Sequence, residues 1–449
     1  MTAGSAVAPV HAARPAPLWL ALRKIPGAVR VGSTPARLAL WLAGLLAACL
    51  AWGAVAAWTV AEHASAAGNV VTVSEPLSLD AQQIYRSLSA ADSTEAAAFL
   101  SGGLEPLSLR AQYQADITQA ARQLETATAA AGQSAAGSAL ATLSAGLPRY
   151  TGLVETAGAD NRLGLPLGAA YLREASQFMR ATLLPAAQDL STQENAQLAA
   201  ADQRATGLPW AALALALIAA VLLATGQWWL ARRTNRIVNP GLLAASLVGL
   251  AALVWLVTAL TVARANLDAA RDHGSAPVEA LARAETAALQ AHADESLTLI
   301  NRDTFADDLS QADFVSQQRR LGPGPGTLLT DAAAVARGSR GGPQAAAALG
   351  DAPTWYIAHQ QVRSLDDSGQ YTAAVGSALG ADPADSGYRF ARLDADLTGA
   401  IAADQAAFRS AAQQGRDDLA SLEAGMIVLS LVMAAGCAWG ISRRLAEYR

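Results

Sequence analysis

The sequence predicts an all-α membrane protein: four transmembrane helices and two extracytoplasmic helical bundles, each of four helices and related by tandem duplication. Three observations predict it. The 449 residues are 52% hydrophobic and only 15% charged, with a mean hydropathy of +0.23, whereas soluble domains run near a quarter charged. The apolar residues are gathered into four uncharged runs, and the remaining charge is segregated by sign. A soluble cytoplasmic enzyme is excluded on this balance. The net charge of −5 argues against nucleic acid as a partner. Cys49 and Cys437 both lie in apolar runs, so no disulfide staples an exported domain.

Residues 1–37 carry Arg14, Arg23, Lys24, Arg30 and Arg37 without an acid, a basic cytoplasmic tail. Residues 38–60 are uncharged for 23 positions, enough at about 1.5 Å per residue to cross a core of about 30 Å. Ala64-Ser65-Ala66 offers a cleavage pattern, but the basic segment and the apolar run are both longer than in a signal peptide. A retained anchor is expected. Residues 61–209 then form bundle 1, 210–230 span two, 231–240 a cytoplasmic connector and 241–263 span three. Bundle 2 follows at 264–423, span four at 424–441 and a cytoplasmic tail at 442–449. The three inner pieces sum to +10 and everything else to −15. By the positive-inside rule both termini face the cytoplasm and the bundles lie outside the cell membrane.

Inside bundle 1, helices are expected over 79–100, from 107 past 124 and over 147–156, with a loop at 158–168. A fourth helix starts at 169 and is kinked by Pro185. The spacings Ile84, Leu88, Ala91 and Phe178, Leu183, Leu190 give one buried stripe, as in an up-and-down four-helix bundle. In bundle 2 a helix continues from span three through Leu281, Leu289 and Leu297 to about 309. Gly322-Pro-Gly-Pro-Gly and 380–387 are loops, 355–365 is helical, and 388–441 is one helix. Asp92 lies 32 residues beyond span one and Asp294 lies 31 beyond span three; Tyr150 precedes Asn161 by eleven residues, as Tyr356 precedes Asp367. These matches point to a repeat.

The five histidines (His11, His63, His273, His292, His359) show no metal-ligand spacing and read as solvent-facing helix residues. The glycine-rich loop lacks the lysine and the strand of a phosphate loop, and no nucleophile elbow or kinase signature occurs. Asp294, Glu295, Asp303, Asp307 and Asp308 are strung along a helix instead of a calcium loop, and read as a solvated face. The spans hold no ionisable Asp, Glu, Lys, Arg or His, so ion transport is not expected. The expectation is therefore no enzyme, no metal and no cofactor. Tyr150, Asp160, Asn161 and Arg162 form the candidate recognition loop, against the plainer reading of a capped turn. Arg232, Arg233, Arg236, Arg443 and Arg444 form the candidate cytoplasmic face, against the plainer reading of topology determinants.

The cytoplasmic pieces are too short to fold into a kinase, cyclase or DNA-binding domain. A chain with its mass in bundles joined to the inner face by continuous helices reads as a receiver and relay. Tyr171-Leu-Arg-Glu-Ala-Ser with Met179 and Leu184-Pro185, His292-Ala-Asp-Glu-Ser-Leu-Thr-Leu and Arg444-Leu-Ala-Glu-Tyr-Arg, set in two span–bundle–span units, resemble the GlnX-type four-span membrane proteins. That resemblance implies a link between an extracytoplasmic glutamine/glutamate/aspartate-binding lipoprotein and the cytosolic serine/threonine kinase PknG, and so amino-acid sensing. It carries over no partner-binding residue. Expected partners are membrane lipids, the lipoprotein and the kinase, with a homo-oligomer left open. The alternatives are a structural scaffold of a membrane complex and a direct small-ligand sensor.

Overall fold

Alanine- and leucine-rich stretches punctuated by Gly and Pro favour helix wherever neither breaker intervenes. The computed structural model describes residues 34–69, 75–103, 105–131, 137–206, 210–234, 239–301 and 305–446, and no strand occurs among them. The helices are α1 (Thr34–Asn69), α2 (Glu75–Leu100), α3 (Leu107–Ala131), α4 (Gly137–Arg162), α5 (Leu167–Phe178), α6 (Leu184–Thr206) and α7 (Trp210–Thr234). They are followed by α8 (Pro240–Ala270), α9 (Ala276–Ile300), α10 (Phe305–Leu321), α11 (Leu328–Val335), α12 (Gly342–Asp367), α13 (Tyr371–Leu379) and α14 (Ser386–Ala446). Four helical stretches are long and apolar enough to cross a membrane: Ala39–Ala66, Trp210–Arg232, Pro240–Ile300 and Ala424–Arg443. The molecule is an all-α membrane protein. His11 and most of the basic tail lie outside the described residues.

Two prolines explain two irregular turns. Pro185 has no N–H, and its ring would strike the carbonyl four residues back in a regular helix. Residues Met179–Leu183 widen into a π-turn instead, with the Leu184 N–H donating to the Met179 carbonyl. The same device precedes Pro277, where Arg271–Ser275 form a π-turn and the Ala276 N–H donates to the Arg271 carbonyl. The expected kink at Pro185 is therefore a π-turn between α5 and α6. Two other expectations are corrected. The loop placed at 158–168 begins only at 163, because α4 keeps its hydrogen bonds through Arg162. The helix leaving span three stops at Ile300, and Leu309 belongs to α10.

The chain divides into two compact units. One comprises Met1–Gly53, Ala214–Leu250 and Leu429–Arg449. Small residues let its helices close on each other where lipid offers no hydrophobic drive. Gly241 of α8 faces Gly436 and Gly440 of α14 so closely that an added Cβ would collide with the Gly440 backbone and the Gly436 carbonyl oxygen. The Asn239 amide donates to the Gly440 carbonyl at 2.9 Å and accepts from the Gly241 N–H at 3.1 Å. The thiols of Cys49 in α1 and Cys437 in α14 are buried, free and hydrogen-bonded to each other. Gly241→Leu should push these helices apart at a cost of about 1–3 kcal/mol. A lowered melting temperature of the detergent-purified chain checks it; an unchanged one would refute the close approach.

The other unit comprises Ala54–Leu213 and Ala251–Val428. Here α2, α3, α4 and the α5–α6 pair enclose a core of Ile84, Leu88, Leu124, Leu143, Met179 and Leu190. A second core, of Leu281, Phe314, Leu329, Trp355, Leu393 and Leu397, gathers α9, α10, α11, α12 and α14. Helices α2 and α9 lie side by side, α2 in the first core and α9 in the second, with Leu79 and Ala90 of α2 packed against the second as well. Every residue of 91–98 is buried, and so is every residue of 284–299 except Gln290. Ala, Ser and Thr on all faces of these helices allow neighbours to approach from every side. Ala96, Ala157, Leu172, Ala293 and Leu297 complete the joint.

Candidate functional site

A buried helix that carries carboxylates must find them partners, because an isolated buried charge costs far more than folding can supply. Asp92 projects from α2 and Asp294 from α9, 4% and 1% exposed. Both meet Arg180, which the π-turn before Pro185 presents. The Arg180 Nη1 pairs with Asp294 Oδ1 and lies 3.8 Å from Asp313 of α10, while Nε lies 3.9 Å from Asp92 Oδ2. Ser176 donates to Asp92 Oδ1 at 2.7 Å and the Tyr150 phenol donates to the same oxygen at 3.4 Å. Burial pushes the Asp92 carboxyl above the ordinary range despite Arg180, Ser176 and Tyr150 pulling it down. Burial likewise carries Asp294 up to about 7 against the attraction of Arg180. One guanidinium thus holds two carboxylates from the two central helices.

The next residue of α9 faces the other way. Glu295 accepts from His359 Nδ1 at 3.0 Å, and from Ser386 Oγ at 2.7 and 2.9 Å. Trp355 Nε1 in turn donates to Ser386 Oγ at 3.1 Å. Burial pushes Glu295 up, but the His359 bond, the charges of His359 and His292 and the Ser386 bond outweigh it and leave the carboxyl below its usual range. Phe314 stacks on the His359 ring with centroids 3.5 Å apart, and Phe390 stacks on His292 at 3.9 Å. His292 Nδ1 shares a hydrogen bond of 2.7 Å with Ser93 of α2, and burial holds its imidazole below the ordinary pKa. A third link joins α2, α9 and α14: Arg86 Nε donates to Glu285 Oε1 at 2.8 Å, Thr398 donates to that oxygen at 2.8 Å, and Arg86 Nη2 donates to Thr398 at 2.8 Å.

These networks bind and orient; among the described residues no group of three or more His, Cys, Asp or Glu could hold a metal ion. Two cavities flank the α2–α9 pair. One, of about 320 Å³, is walled by Tyr85, Arg180, Gln188, Arg283, Gln290 and Arg320 among others. The other, of about 510 Å³, is walled by Arg86, Asp116, His292, Tyr388 and Asp394 among others.

Residues 66–203 match the family model of the Actinobacterial sensor domain. The match covers less than half of the chain, and this stretch is similar to a sensor domain. Comparison with curated proteins and comparison with solved structures return no match. The matched stretch contributes Arg86, Asp92, Ser93, Tyr150, Ser176 and Arg180 to the networks. Their partners Glu285, His292, Asp294 and Asp313 come from beyond its end.

Of the four residues expected on a recognition loop, none stands on one. Tyr150 is fully buried inside α4, as a donor to Asp92. Asp160, Asn161 and Arg162 form the last turn of α4, and the Asn161 amide donates to the Phe99 carbonyl at 3.0 Å. Of the candidate cytoplasmic face, Arg232 and Arg443 stack over Trp228 and Trp439 of their own helices, 4.0 and 5.3 Å from the ring centres. Arg236 and the side chains of Arg233 and Arg444 lie outside the described residues.

The acidic set read as a solvated face is corrected in part. Asp294 and Glu295 are 1% exposed because α9 is packed on every side; Asp303 and the side chains of Asp307 and Asp308 lie outside the described residues. The solvent-facing reading of the histidines is corrected too: His63, His292 and His359 are buried. Sequence reasoning passed over Arg86, Arg180 and Glu285. A signal for them existed: 284–301 contains Glu285, Asp294 and Glu295 and no lysine or arginine, a charge pattern unlike that of a solvated helix laced with i,i+4 pairs.

Proposed function

We propose that this chain is a non-enzymatic transmembrane relay. Its bundles face outward, its termini and the 231–240 connector face the cytoplasm, and it receives an amino-acid signal through a solute-binding lipoprotein. It passes that signal to a cytosolic partner such as a Ser/Thr kinase. The sensor-domain match supports the receiving half of this reading, and the inner-face excess of arginine supports the orientation. The observation that carries the relay is the position of α9. Its Asp294 and Glu295 are gripped from two sides, and it continues through the π-turn into α8, in the apolar stretch Pro240–Ile300. A partner that favours one pairing of Arg180 over another would bias the helix that carries span three, which is the differential interaction a relay needs.

A tandem duplication belongs to this reading. In one half a carboxylate on the central helix meets an aromatic donor and a serine, as Asp92, Tyr150 and Ser176; the other half offers Glu295, His359 and Ser386. On this pairing the counterpart of Tyr150 is His359, three residues beyond Tyr356.

The native thiols provide the test. Cys49 and Cys437 are the chain's two cysteines, on α1 and α14. In living cells, the rate at which an oxidant links them should change about twofold or more when a mixture of amino acids is withdrawn from the medium and restored. In-cell cross-linking and affinity capture of the same chain should recover an exported solute-binding lipoprotein and a cytosolic kinase. An unchanged rate, with capture of a fixed set of membrane components alone, would replace the relay with a scaffold.

A further inference from the structure

The smaller of the two cavities has the chemistry of a site. Arg180 lies in its wall, and Arg283 and Arg320 stand exposed at its rim. Against these three guanidiniums the wall offers a single carboxylate, Glu279, which approaches Arg283 at 4.0 Å. Arg320 donates to Gln317 at 3.1 Å and pairs with no carboxylate of the described residues. Arg180 gives Nη1 to Asp294 and turns Nε toward Asp92 at 3.9 Å, but its Nη2 is buried without a hydrogen bond. Gln82 Oε1, on the same wall, is buried and unbonded as well. Buried donors and acceptors left open cost about 1–3 kcal/mol each, and a ligand that engages them regains that cost.

We propose that this cavity binds a small polar carboxylic acid directly, with its carboxylate between Arg180 and Arg320. The planar fork of arginine suits a carboxylate. The rest of the wall selects the body of the ligand: Tyr85, Gln188, Gln290 and Thr286 present hydroxyls and amides, while apolar lining is confined to residues such as Leu184 and Leu328. An acid bearing hydroxyl, amino or further carboxyl groups uses these partners; a bare phosphate leaves most of them idle, and an aliphatic acid buries them unpaired. A volume of about 320 Å³ lies at the small end of ligand sites. The larger cavity has the opposite polarity, since Asp116 and Asp394 face it and Arg86 is committed to Glu285.

Calorimetric titration of the full chain in detergent micelles tests this, with succinate, malate and citrate as probes and phosphate and glycerol as comparisons. At least one acid should bind saturably at or below the millimolar range. Arg320→Gln should weaken it about tenfold or more without moving the melting temperature, because Arg320 is at the rim. Asp116→Asn, on the other cavity, should leave it unchanged. Absence of binding by every acid up to about 10 mM, binding of phosphate as tight as that of the acids, or binding indifferent to both Arg320→Gln and Arg283→Gln would each overturn the proposal. The relay is read separately, by the Cys49–Cys437 cross-link, so either idea fails without the other.

Discussion

Arg180→Met is expected to destabilise the folded chain by about 3–5 kcal/mol, the usual cost of breaking a buried ion pair from one side. The variant keeps an unbranched apolar stem and removes the guanidinium with its charge. Asp92 and Asp294, 4% and 1% exposed, are then left without a cation, with Ser176 and Tyr150 as the donors to Asp92 among the described residues. Both carboxyls must take up protons to remain inside, so the loss should be largest at alkaline pH and shrink in acid. Replacing the acid as well should recover most of the stability: Arg180→Met with Asp294→Leu trades an ion pair for apolar contact. Thermal melting of the chain in micelles, followed by tryptophan fluorescence, compares the three proteins. Superimposable curves for wild type and Arg180→Met would show that Arg180 holds nothing.

Glu95 sets the second expectation. It is 6% exposed, and burial, followed by the nearby charges of Glu105 and Glu155, lifts its carboxyl from 4.5 to about 8 while Arg110 opposes them. A raised carboxyl means that the folded chain holds a proton the unfolded chain has released. Stability from this group is therefore complete below about 4.5, falls as pH rises, and levels off above about 8. Asp294 at about 7 and Asp116 at about 6, also raised chiefly by burial, act in the same direction. Buried, neutral His292 opposes them only in acid, below its ordinary value of 6.5. The chain should accordingly melt several degrees higher at about pH 6 than at about pH 9. Glu95→Gln should flatten much of that slope, gaining on the order of several kcal/mol on the alkaline side and little in acid. A variant that melts with the wild-type pH slope would place the cause elsewhere.

Much of this architecture was legible in the residues. Long uncharged runs mark the four spans, Gly and Pro mark the breaks between bundle helices, and the absence of proline from 388 onward gave α14 as one helix. The core stripe Ile84, Leu88, Ala91 is buried as its spacing requires. The functional core was not legible, for a physical reason. Hydrophobic periodicity reports a helix with one wet face, and α2 and α9 have none along their inner turns. A helix of Ala, Ser and Thr packed on all sides shows no contrast between faces, so its acids look solvated. Their partners are far along the chain, too: Arg86 lies 199 residues from Glu285, and no local spacing announces such a pair. Tyr150 was singled out for its neighbours in sequence; its role comes from Asp92, 58 residues away.

The packing of α9 against α2 also bears on what can be inherited as a module and what can fold as one. The family match covers residues 66–203, half of a body whose two central helices shield each other. Cut out by itself, that stretch would turn the small-residue face at 91–98 toward water and strand Arg86 and Arg180 without Glu285 and Asp294. The boundary of the family match falls at 203, while the boundary that thermodynamics recognises encloses the second bundle as well. Each bundle serves as the other's solvent, so a change to the inner face of one alters the surroundings of the other.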